Sequence, residues 1–143
     1  MALSLSTAQT IVAAALDHAR KVDFNPLSIV VLDARSAVVA AASEDGTSLR
    51  RFEVAQGKAA AALAFGIGSR KLGEMAVERP HFLAGAAHVV GALVPVAGGV
   101  LVKDKDGAVI GAVGVSGDVS DNDEAAATAG IFAEWMVGSV RGV

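Results

Sequence analysis

The chain has no cysteine, and that one absence removes thiol nucleophiles, thiolate metal sites and disulfides. It agrees with a reducing compartment, so a cytoplasmic location is expected. An excess of one charge sign is missing too: 12 Lys and Arg stand against 15 Asp and Glu, a net charge of -3. With no basic stripe, nucleic acid is not expected as a partner. The N-terminus, Met1-Ala-Leu-Ser-Leu-Ser6, shows no basic-then-apolar signal pattern. No linker, repeat or low-complexity segment divides the sequence. Residues 1–143 are therefore expected to form one domain, long enough to bury about two thirds of its unfolded surface without staples.

What is present is hydrophobic. Apolar residues make up 53% of the chain and the mean hydropathy is +0.53. From Leu83 to Val102 there is no charged residue, a run about as long as a membrane span. It holds His88, Pro95 and four glycines (Gly85, Gly91, Gly98, Gly99) and is valine-rich in short pieces. Two buried strands separated by a turn suit that pattern better than a spanning helix, and no membrane span is expected. An apolar surface is expected to remain after folding. Such patches commonly mean self-association, so a homo-oligomer is expected.

Ser6-Thr7-Ala8-Gln9 has the spacing of a capping box, and Ala8, Ile11, Val12, Ala15, Leu16 and Ala19 form one helical stripe behind it. Asn25-Pro26 breaks that helix. Ser28–Asp33 and Ala37–Ala42 read as two strands of a hairpin, with Asp33 as its turn residue and Asp45-Gly46 as the next turn. Leu49 to Phe65 is an alanine-crowded helix, and Ser69 caps a short helix to about Ala76. Pro80 opens an irregular stretch. Strands follow at about Val89–Val94, Gly99–Val102 and Ala108–Val115, with Asp104–Gly107 as a hairpin turn. A last helix runs from Ser120 to about Val137, with acidic residues in its first turn. The order α-β-β-α-(α)-β-β-β-α predicts an α+β fold: a five-stranded, mainly antiparallel sheet flanked by helices.

Gly111-x-x-Gly114-x-x-Gly117 lacks the parallel β-α-β unit and distal acidic residue of a dinucleotide site. Ser116 does not sit in a Gly-x-Ser-x-Gly elbow. These glycines read either as close sheet-to-helix packing or as a ligand-facing surface. Asp118-x-Ser120-x-Asn122-x-Glu124 alternates oxygen donors, yet Asp123 and Ala129 occupy the places where a calcium loop needs Gly and Glu; helix capping explains the run. His18 lies at the boundary of the first helix's stripe, His81 follows Pro80, and His88 precedes the expected strand. They lack the four-ligand set of a closed zinc site, whereas an axial ligand to haem needs only one imidazole. Lys58, at the edge of an apolar stripe, is either a snorkelling surface lysine or a pocket-rim residue.

Several segments occur in an order that resembles one family. They are Val30-Val-Leu-Asp33, Glu44-Asp-Gly46, Ala55-Gln-Gly-Lys58-Ala59, Phe65-Gly66, Gly98-Gly99-Val100, then Asp106 through Gly117 with its Val-Ser-Gly ending, Asp123-Glu124 and Ala129-Gly130. The chain thus resembles the GlcG/HbpS-like family, found also as the C-terminal domain of PduO-type proteins, over almost its whole length. The resemblance implies a five-stranded antiparallel α+β domain, assembly into homo-oligomers, and binding of haem or another tetrapyrrole. Where relatives often carry a Thr, a Pro-Thr and a Gly-Gly-Val-Pro, this chain has Ala61, Gly68-Ser69 and Gly98-Gly-Val100-Leu101, which points to a remodelled pocket.

The first functional expectation is therefore a small-ligand-binding accessory protein that takes haem in an apolar site. His81 is the expected axial ligand, presented by its irregular stretch, with Lys58 pairing a propionate and His18 and His88 as further candidates. The alternative is a small-molecule enzyme of the tautomerase, isomerase or lyase type. Its acid–base groups would be Asp33, Lys58, His81, Asp123 and Glu124, brought within hydrogen-bond reach of one another.

Overall fold

The computed structural model describes residues 2–136, 138 and 140. Helix α1 (Leu5–Lys21) begins at Ser4, whose hydroxyl accepts the Thr7 N–H at 3.1 Å. Ser4 is thus the cap, and the expected capping box at Ser6 is already inside the helix. Ala8, Ile11, Ala15 and Ala19 form its buried stripe, at the three- and four-residue spacing that one helix face requires.

Strands β1 (Ser28–Asp33) and β2 (Val38–Ser43) form the expected hairpin, antiparallel with a bulge between Val31 and Leu32. The Asp33 carboxylate closes the turn by accepting the N–H groups of Arg35 and Ala37 at 2.8 and 3.1 Å. Strands β3 (Gly99–Lys103) and β4 (Val109–Ser116) form the second hairpin, and the sheet order is β2-β1-β4-β3 with every neighbouring pair antiparallel. Central strands β1 and β4 are buried on both faces, so they read as continuous apolar runs rather than alternating ones. Ile29, Val31, Val113 and Val115 pack with α1 and with α5 (Ser120–Met136). Val30, Leu32 and Ala112 face α2 (Arg51–Phe65) on the other side. Val137, the expected end of the last helix, lies outside the described residues.

The alanines of α2 let it lie close on the sheet. A Cβ on Gly114 would run into the Ala55 carbonyl, which fixes glycine at the point of nearest approach. The close-packing reading of the glycine-rich strand therefore holds at Gly114.

The sheet departs from expectation in having four strands among the described residues, not five. The segment read as strand Val89–Val94 is the end of a helix and the loop after it. Short helix α3 (Ser69–Glu78) is followed directly by α4 (Pro80–Val90). Pro80 starts α4 rather than opening an irregular stretch, because its fixed φ and missing N–H suit a first helical turn. Ala84, Ala86 and Ala87 then favour the helix, and two valines at its end do not outweigh them. A short apolar run carries no period able to separate the two states. His81 and His88 consequently stand in the first and last turns of one helix, not in an irregular stretch and before a strand.

Candidate functional site

The junction of β4 and α5 is where the structure gathers buried charge. Lys58, on the sheet-facing side of α2, donates from Nζ to the Val115 carbonyl and to Asp123 Oδ2, both at 3.0 Å. Its side chain is 3% exposed and that of Asp123 is 1% exposed. Lys58 is therefore neither a snorkelling surface lysine nor a rim residue. The second Asp123 oxygen accepts the Asp118 N–H at 2.9 Å, so the pair satisfies its hydrogen bonds within the fold. Burial pushes the Asp123 carboxyl above the ordinary carboxylate range; the Asp118 N–H and the Lys58 ammonium pull it part of the way back. Gly98, at φ +131°, lies against the lysine, and a side chain there would meet Lys58 Cδ and Nζ.

Further bonds gather at the same junction. Arg70 holds both oxygens of Glu124 at 3.1 Å and also bonds Asp121, joining α3 to the first turn of α5. Asp118 accepts from the N–H groups of Asn25 and Val119 and from the Asn122 amide. Those bonds hold its carboxyl below the ordinary range. The polar run Asp118–Glu124 thus closes the start of α5 and fastens it to its neighbours. Among the described residues no group of three or more His, Asp or Glu side chains is placed to hold a metal ion. Ser69, expected as a helix cap, instead donates to the Val96 carbonyl at 2.6 Å and accepts the Gly99 N–H at 2.7 Å. It pins the segment before β3 against α3.

The five expected acid–base groups do not converge. Lys58 and Asp123 meet in the sealed pair, and Glu124 is held by Arg70. Asp33 is engaged in its turn, where the N–H groups of Ala37 and Arg35 hold its carboxyl below the ordinary range. His81 is exposed on α4. The other imidazoles are separate as well. His18 is half-buried in the last turns of α1, its ring edge-on to Phe24 at 5.8 Å. His88 is exposed on α4, seven residues after His81. That spacing puts both on one stripe with Ala84 and Gly85 between them, all four exposed. Sequence reasoning missed Arg79, whose guanidinium lies 4.6 Å from the Phe82 ring centre at the start of the same helix. The Arg-Pro pair before a helix-favouring run was the available signal.

Among the described residues, shallow clefts lie elsewhere, three of which bear on these groups. One of about 460 Å³ is edged by Arg20, Glu44 and Asp45. Two others flank the β1–β2 turn: about 480 Å³ beside Leu3, Asp33, Val109 and Ile110, and about 290 Å³ between α2 and the end of α4. None of the three is lined by Lys58, Asp123, Glu124 or a histidine. No helix among the described residues is long and apolar enough to cross a membrane.

The family described as haem degrading protein HbpS-like matches residues 3–132. Among solved structures, a double mutant of Streptomyces reticuli HbpS is similar at 25% identity and a TM-score of 0.81, covering 93% of this chain and 87% of that one. A PduOC:heme complex is similar at 25% identity and a TM-score of 0.83, covering 93% and 95%. Klebsiella pneumoniae protein ORFY shares the fold at 21% identity and a TM-score of 0.80, covering 91% and 88%. No curated protein matches. The chain belongs to the HbpS-like family.

Proposed function

We propose that this HbpS-like chain is a haem- or tetrapyrrole-binding accessory protein that works as a homo-oligomer. The observation that carries the reading is the family match over residues 3–132, joined to the likeness of the whole fold to a PduOC:heme complex. The chain's own residues fit such a group on the outer face of α4. His81 supplies an imidazole donor, sufficient as a single axial ligand. Ala84 and Gly85, small and exposed, share its stripe, and Arg79 at the head of the helix would offer a cation to a carboxylate substituent. Lys58 cannot pair a propionate at the surface, because Asp123 and the Val115 carbonyl hold it inside. A haem held there would supply a redox-active iron, which His81 would ligate while Ala84 and Gly85 lay against the ring and Arg79 paired a carboxylate.

Assembly rests on the same region. Val77 and Val89 are 83% and 87% exposed and α4 itself has no charged side chain, so this region offers a second copy apolar contact area. The ligand reading is tested by titrating hemin into the purified chain and recording the Soret band. A shifted, saturating band at one hemin per chain is expected, lost or altered in His81→Ala and kept in His18→Ala and His88→Ala. A spectrum that stays that of free hemin at stoichiometric protein overturns haem binding. A band that responds to His18→Ala and not to His81→Ala overturns the α4 site while leaving haem binding in place.

A further inference from the structure

The two clefts that flank the β1–β2 turn share Ala34 and Arg35 but differ in charge. The larger one contains the Asp33 carboxylate, which its backbone hydrogen bonds keep ionised and which repels an anion. The smaller one, about 290 Å³, has no acidic group. Its walls are Ala60, Leu63 and Ala64 of α2 and Val90 and Ala92 at the end of α4, with Arg35 and Ser36 at the rim. Arg35 lines both clefts and is ion-paired to Asp33, so a ligand carboxylate in the smaller cleft would share its guanidinium with Asp33. Its side chain is 85% exposed, and among its five N–H donors one contact is made, to Asp33 Oδ2 at 3.3 Å.

We propose that this smaller cleft binds a small apolar monocarboxylate, of one ring or one branched chain, with its carboxylate on Arg35 and its apolar part against Leu63 and Val90. Aliphatic walls with one cation beside them are the arrangement by which such pockets orient a ligand: area supplies attraction and the single charge supplies direction. The volume sits at the lower end of the range for drug-sized ligands, which sets the limit of about one ring. An occupant of that size with one exposed ion pair binds weakly, with Kd about 1 mM. The site is separate from the α4 stripe and does not rest on haem binding.

Benzoate is the probe, titrated into ¹⁵N-labelled full-length chain without hemin, with benzamide as its neutral match. Saturating shifts are expected at the amides of residues 34–36, 60–64 and 90–92, with benzamide about fivefold weaker. Arg35→Gln should lower benzoate to the benzamide level. Ala64→Leu, which fills the cleft from an exposed position on α2, should abolish both responses while the rest of the spectrum is kept. Equal binding of the two probes overturns the role of Arg35. Shifts centred on Leu3, Val109 and Ile110 place the ligand in the acidic cleft and overturn the assignment, as does the absence of saturation at tens of millimolar benzoate.

Discussion

Helices α2 and α4 invert the usual relation between polarity and burial. Helix α2 carries Arg51, Glu53 and Lys58, yet it lies on the centre of the sheet and buries Lys58 with Ala55, Ala59 and Ala62. Helix α4 has no charged side chain and holds Phe82, Leu83, Val89 and Val90, yet Leu83 is its one buried residue. Within α2 the buried charge is met inside the chain, since Lys58 has Asp123 and a carbonyl. Helix α4 has apolar area that the chain does not cover. The first pattern is that of a finished core and the second that of an apolar surface left open within the chain.

The largest effect should come from emptying the buried half of this comparison. Lys58→Met leaves the Asp123 carboxylate in an apolar site without its cation, and loss of one member of a buried pair costs about 3–5 kcal/mol. Urea unfolding should therefore show the midpoint falling sharply with little change in slope. Replacing both members, Lys58→Met with Asp123→Leu, should recover most of that loss, because apolar packing often equals a buried pair. A double variant no better than the single one would mean that the pair is needed for the junction's geometry beyond its own charge balance.

Acid separates the two regions next, because α4 carries no carboxylate while the β4–α5 junction that receives Lys58 has two with opposite shifts. Asp118 has its folded pKa below the ordinary 3.8. Its contribution is therefore present above that value and lost as the pH falls through the lowered one. Asp123 is raised, so from its raised value down toward 3.8 the folded state takes up the proton first and the contribution of this group grows as pH falls. Asp118→Asn should cost about 1 kcal/mol at pH 6. The gap from the parent chain should close below pH 3.8, as followed by urea midpoints at half-unit steps. A gap that stays constant to pH 2.5 would show that the Asp118 bonds do not depend on its charge.

How much of this was legible follows the same division. The sheet-covering parts were readable: the buried runs of β1 and β4, the Asp33 turn and the alanine helix each have a local pattern with one physical reading. The Lys58–Asp123 contact was not, since it joins residues far apart in sequence and periodicity left the lysine only at a stripe's edge. Ser69 looked like a cap for the same reason; its true partners, Val96 and Gly99, lie across a loop. Helix α4 misled because its uncharged sequence was assumed to be buried, and buried valines suggest strands. The three histidines could be named but not brought together, and the structure keeps them in two places, His18 on α1 and His81 with His88 on α4. The cleft at Arg35 had no signature, because its walls come from three separate segments.

The smallest effect on folding should come from the exposed half, and that contrast is the test of what α4 is for. Val89 is almost fully exposed, so Val89→Lys removes no packing within the chain and should leave the unfolding midpoint within about 0.5 kcal/mol of the parent. If α4 is covered by a second copy, the same change sets a cation against its symmetry mate in an apolar contact. The chain's mass by light scattering should then fall toward 14.3 kDa at concentrations where the parent is larger. Val77→Lys, on the end of α3 beside it, should act in the same direction. Glu53→Lys, a change of charge on α2 at a side chain 45% exposed and paired with Arg50, should leave the mass alone. A parent chain that is itself monomeric would remove self-association as the reason for the bare helix, and leave ligand binding at His81 to account for it.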